Sequence, residues 1–153
     1  VYQVPLFAGF LYSAVGSYIA RAWRLFEFRF ENYPPIWATV VLAVAAYFNF
    51  FTHHYTIDIR WFLIAWSLVM FWKCQIHFKS GEDHRKIPLL LGLFAVAFAI
   101  WIAENLGTYG RAWAYPNQED GWEMVHLGKI TAWYLLMLLS FVLVSLIQIR
   151  SLK

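Results

Sequence analysis

Five stretches of this chain run for about the length of a helix with almost no charge, and that constrains the fold more than any other feature. Residues 36–51 contain no Asp, Glu, Lys or Arg, residues 87–106 contain only Glu104, and residues 127–149 contain only Lys129. Residues 4–22 carry Arg21, and residues 59–78 carry Arg60 and Lys73. Crossing the hydrocarbon of a bilayer takes about 20 predominantly apolar residues in a helix. Charged residues make up 14% of the chain, whereas an ordinary soluble domain has about 25%, too few here to solvate a globular surface. No alternation of short strands suggests a β-barrel. The expected fold is therefore all-α: a polytopic transmembrane helix bundle with spans at about 4–22, 36–51, 59–78, 87–106 and 127–149. Residues 1–153 form a single integral-membrane domain on this reading.

Pro34-Pro35 and Pro88 mark two helix starts, because proline is tolerated in the first turn and disruptive inside. The cations set an orientation. Arg21, Arg24, Arg29, Lys73, Lys79, Arg85, Lys86, Arg150 and Lys153 fall on one side of the bundle, and only Arg60, Arg111 and Lys129 on the other. Basic connections stay in the cytoplasm, which places the first group there and the visible amino terminus outside. The expected location is the bacterial inner membrane, multi-pass, with the carboxy terminus cytoplasmic. The chain starts at Val1 without the basic n-region of a signal peptide, so it is expected to be part of a longer protein or a mature product, and the outside amino terminus favours the carboxy-terminal part of a larger bundle. No polybasic patch points to nucleic acid, and the one cysteine, Cys74, offers no intrachain disulfide or cysteine-based metal site.

Gly9, Ser13 and Ser17 recur every four residues and form a small-residue face of the kind that lets membrane helices pack closely, whether within the bundle or against another subunit. "RLFEFRFENY" reads as a segment lying in the cytoplasmic interface, and "HFKSGEDHRK" as a solvated turn.

The polar residues gather at the opposite side. Asn49, His53 and His54 end the second span, and Glu104 and Asn105 end the fourth. A loop with Tyr109, Arg111, Trp113, Tyr115, Asn117 and Asp120 follows, then Glu123 and His126. Gly107 and Gly110 fit a helix end with a tight turn. An ionisable group at membrane depth is costly and faces a cavity or a partner. Three readings of Glu104 stand open. It anchors the loop by pairing with Arg111 or a histidine; it is a general acid or base, since a buried carboxyl can hold a proton near neutral pH; or it joins His53, His54 or His126 around a metal. Adjacent helical residues point about 100° apart, which works against His53 and His54 sharing one ion, and no metal site is expected.

"VPLFAGFLYSAVGSYIARAWRLFEFRFENYPPIWATV", "NFFTHHYTIDIRW" and "ENLGTYGRAWAYPNQEDGW" resemble a bacterial integral-membrane family catalogued as domain of unknown function 817. The resemblance implies helices upstream and an architecture, and assigns no activity. The glutamate followed by a Gly/Trp/Tyr turn is similar to small membrane carotenoid cyclases and hydratases, which protonate a double bond of a long isoprenoid with a membrane carboxyl. Two functions are therefore carried forward. One is binding or conversion of an apolar lipid or isoprenoid, with Glu104 catalytic and His53, His54, Asn105, Trp113, Tyr115, Asn117 and His126 around the ligand. The other is a structural or accessory subunit of a larger membrane complex. Membrane lipids are expected partners in both; cofactors are not legible.

Overall fold

The computed structural model describes residues 8–52, 55, 57–118 and 120–151. Its helices are α1 (Ala8–Leu25), α2 (Ile36–Thr52), α3 (Arg60–Phe71), α4 (Leu89–Tyr109) and α5 (Gly128–Ser151). A single 3-10 turn, Pro116–Gln118, lies in the α4–α5 connection. Helix α5 is the centre of the bundle and packs against each of the other four. Its buried face, including Tyr134, Leu138, Phe141 and Val142, meets Leu42 of α2, Leu63 and Phe71 of α3, and Leu93 and Ala97 of α4 in one core.

Helices α4 and α5 are long and apolar enough to cross a membrane. The other helices are shorter. At about 1.5 Å rise per residue, the 12 residues of α3 extend roughly 18 Å, well short of the roughly 30 Å of bilayer hydrocarbon. The expected third span at 59–78 is thus corrected: the helix stops at Phe71 and the chain passes into a strand.

The all-α expectation is corrected by the same segment. Strands β1 (Arg29–Glu31), β2 (Gln75–Ser80) and β3 (Asp83–Pro88) form an antiparallel sheet in the order β1-β2-β3. Arg29 stands opposite His77 in one ladder, and Phe78 stands opposite Arg85 in the other. The physical cause is an alternation too short to stand out among the charges. Phe28, Phe30, Ile76 and Ile87 all pack on the core, while the residues between them carry charge or polarity. Period-two patterning is what a half-buried strand requires. Phe30 lies 4.6 Å from Trp23 and 5.4 Å from Phe141, ring centroid to centroid, and so fastens β1 to α1 and α5. The stretch expected to be a solvated turn is the β2–β3 hairpin, turning at Gly81, whose φ of 68° suits a residue without Cβ.

The sheet closes the end of the bundle where α1 and α3 finish and α4 begins. At the far end α2 and α4 finish and α3 and α5 begin, and there the polar cluster sits. Between them the core is held partly by hydrogen bonds. The Ser67 and Tyr134 hydroxyls lie 2.9 Å apart and join α3 to α5, and the Tyr33 and Ser145 hydroxyls lie 2.8 Å apart below β1. Burial pushes the Tyr33 phenol above its usual range.

Candidate functional site: the Glu104 cluster

Helix α4 carries Glu104 about five residues before its end, and α5 carries Trp133 about five residues after its start. The two helices run antiparallel, so these positions meet about 8 Å inside the end of the bundle. Glu104 is buried, with 5% of its surface exposed. The indole N–H of Trp133 donates to its Oε2 at 2.9 Å, and the hydroxyl of Tyr115 donates to its Oε1. Both oxygens of a carboxylate at depth therefore have donors, and both donors are neutral. Tyr115 is in turn covered by the Lys129 ammonium, 4.6 Å above the ring.

The loop is folded back onto the helices by a second set of bonds. Asn105 donates to the Trp101 carbonyl at 2.8 Å and accepts from the Val125 N–H at 2.9 Å, tying α4 to the approach to α5. The Trp101 indole donates to the Val125 carbonyl at 3.0 Å, and the Trp122 indole to Thr108 Oγ1 at 3.1 Å. Buried Gln118 accepts from the Tyr115 N–H at 3.1 Å and donates to the Glu123 carbonyl. Backbone that would otherwise be unpaired at the mouth of an apolar bundle is satisfied by side chains, as burial demands.

Several expected site residues take other places. Trp113 lies against Gly107: a Cβ at that glycine would come within 2.3 Å of the Trp113 ring, so the glycine exists for close approach. The helix-end reading holds for Gly110, the C-cap of α4, whose N–H donates to the Leu106 carbonyl at 2.9 Å, whereas Gly107 lies inside the helix. Gly110 has φ −73°, and the left-handed residue that ends α4 is Arg111 at φ 55°. Asn117 donates to the Glu123 carboxylate at 3.2 Å on the surface. His126 is exposed and accepts from the Gly128 N–H at 3.0 Å, capping the start of α5. Neither Arg111 nor His126 meets Glu104 among the described bonds. His53 and His54 lie outside the described residues, as do the surroundings of Gly9. Among the described residues no three His, Cys, Asp or Glu side chains come together to hold a metal.

A second polar knot lies beside this one. Buried Asn49 donates to Asp58 at 3.1 Å and accepts from the Ile59 N–H at 3.0 Å. Asp58 pairs with Arg60 at 3.2 Å, and Arg60 reaches the Gly128 carbonyl and Thr131 on α5.

The sequence of residues 1–141 matches the profile of the family described as "Protein of unknown function (DUF817)". The chain belongs to that family. It is also 44% identical over 152 residues to "Uncharacterized protein YoaT" of Bacillus subtilis (strain 168), a match covering 99% of this chain and 58% of the relative. The chain thus spans less than two thirds of the length of that protein. No solved structure matches. The family confirms the resemblance read from the quoted motifs over nearly the whole chain, and carries no activity with it.

Trp133 was missed by sequence reasoning, as were Gln118 and Lys129. The signal for Trp133 was present: its indole N–H, placed as deep from one helix end as Glu104 is from another, needs an acceptor when buried.

Proposed function

We propose that this chain is a bundle embedded in the bacterial cell membrane that acts as a non-catalytic structural unit of a larger membrane assembly, with the Glu104 cluster fastening the α4–α5 connection. The observation that carries this is the inverted arrangement of polarity. Hydroxyl pairs join α3 to α5 and the β1–α2 connection to α5 inside the core, while large apolar side chains cover the outer faces of α2, α3 and α4; Trp37 is 73% exposed and Val69 79%. A monomer in water does not leave apolar patches of that extent uncovered, and lipid or neighbouring helices would cover them. Ser13 and Ser17, exposed on α1, suit the approach of a further helix. Most of the basic residues fall toward the sheet end, with Arg60, Arg111 and Lys129 at the other, which favours a cytoplasmic sheet and an external Glu104 cluster.

Glu104 supports the structural role because its oxygens already have donors from the protein. Extraction tests the embedding: the chain should stay with membranes washed in alkaline carbonate and leave only with detergent. Release by carbonate would contradict it.

One observation favours a second reading, in which Glu104 hands a proton to an apolar lipid or isoprenoid. Both described partners of Glu104 are neutral, so protonating it would strand no cation. In that case Glu104→Gln alters the lipids extracted from cells while the chain accumulates normally. An unchanged lipid profile contradicts this second reading.

A further inference from the structure

We propose that the exposed face of the sheet binds the phosphate of an anionic phospholipid headgroup between Arg29 and Lys79. This rests on the membrane reading above.

The strand register decides which side chains share a face. Arg29 stands opposite His77, His77 opposite Lys86, and Lys79 opposite His84. Side chains alternate faces along a strand, so these five lie together, while Phe30, Ile76 and Ile87 turn to the core. A pocket opens at this sheet. Arg29, Lys79, His77 and His84 give it N–H donors and Glu27 gives it one carboxylate; Phe30 and Phe78 also border it, although the register turns both side chains to the other face of the sheet.

The cations are available. Among the described ion pairs His77 is held by Glu31 at 2.9 Å, and Arg85, on the opposite face, by Asp83 at 3.5 Å; Arg29, Lys79 and Lys86 have none. Orienting a membrane protein requires cations somewhere in the connections. It does not require them to be aligned by register around a pocket. A guanidinium fork beside an ammonium suits a phosphate. Because the sheet continues directly from α1 and α3 and into α4, it stands at headgroup level in the membrane reading.

Native mass spectrometry of the full chain in detergent, with phosphatidylglycerol or phosphatidylcholine added, tests this. The chain should retain phosphatidylglycerol in preference. Arg29→Gln and Lys79→Gln should each weaken that binding about fivefold, as expected for one cation near an anionic surface. Arg85→Gln, which removes the same charge from the other face, should not. Unchanged unfolding temperatures show that the variants remain folded. Equal retention of both lipids, no loss in Arg29→Gln and Lys79→Gln, or an equal loss in Arg85→Gln would overturn the site. Displacement by millimolar inorganic phosphate alone would overturn the lipid headgroup as its ligand. A chain that is soluble without detergent would instead defeat the membrane reading itself.

Discussion

Replacing Glu104 separates a hydrogen-bonding anchor from an obligatory charge. In Glu104→Gln the amide oxygen can accept from Trp133, whose indole can only donate, and the amide nitrogen can donate to Tyr115, whose hydroxyl can accept. Every buried group keeps a partner, and the loss is limited to exchanging charge-assisted bonds for neutral ones, about 1 kcal/mol. Glu104→Ala leaves the Trp133 N–H and the Tyr115 O–H facing a gap. Each stranded donor costs about 1–3 kcal/mol, so the two together cost about 2–6 kcal/mol. For a chain of 153 residues about 1 kcal/mol moves the unfolding midpoint by roughly 2–4 °C. Thermal unfolding in detergent should therefore show a shift of a few degrees for Gln and about 10 °C or more for Ala. If Gln is as damaging as Ala, an ionised carboxylate is indispensable and the neutral-donor account fails. If Ala is as mild as Gln, the cluster does not hold the loop.

Trp133→Phe removes the donor to Oε2 and should lower stability by about 1–3 kcal/mol. Its effect should be less than additive with Glu104→Ala, because the two share one bond; strict additivity would deny the contact. Gly107→Ala should destabilise the parent by pushing Trp113 away and have little effect in a Trp113→Ala background. Equal losses in both backgrounds would mean that Trp113 is not the obstacle. Burial pushes the Cys74 thiol up to about 11, so it should alkylate slowly at pH 8, and rapid modification of the folded chain would contradict that. Since the thiol ordinarily titrates near 9, the neutral form favours the fold below that pH. The contribution is lost as pH rises toward about 11, and unfolding midpoints measured from pH 8 to 11 should fall more in the parent than in Cys74→Ala.

The helices were legible because long apolar runs and the prolines before them leave few alternatives, and α2 and α4 lie within a few residues of where the sequence places them. The third ran too long in the sequence reading because Lys73, Cys74 and the apolar β2 residues continue the composition of α3 while changing its period. The sheet was hidden for a related reason. Each strand offers only one to three inward residues, and the partners that give them meaning come from segments up to 48 residues apart. Glu104 was legible as a costly buried group, since any carboxyl at that depth must find partners. Its partners were not, because a search for charges looks to Arg111 and the histidines, whereas the geometry of α4 against α5 delivers a tyrosine and a tryptophan.

In the membrane reading proposed above, the sheet and the Glu104 cluster lie on opposite sides of the bilayer. Single cysteines placed in a Cys74→Ala background at Asp120, exposed in the α4–α5 connection, and at Ser80, exposed beside the β2–β3 turn, test it directly. With an impermeant thiol reagent on intact cells, the cysteine at 120 should label and the one at 80 should label only after the membrane is opened. Labelling of 80 but not 120 would reverse the orientation. Equal labelling of both in intact cells, or protection of both until lysis with the chain recovered in the soluble fraction, would contradict a bundle that spans the membrane.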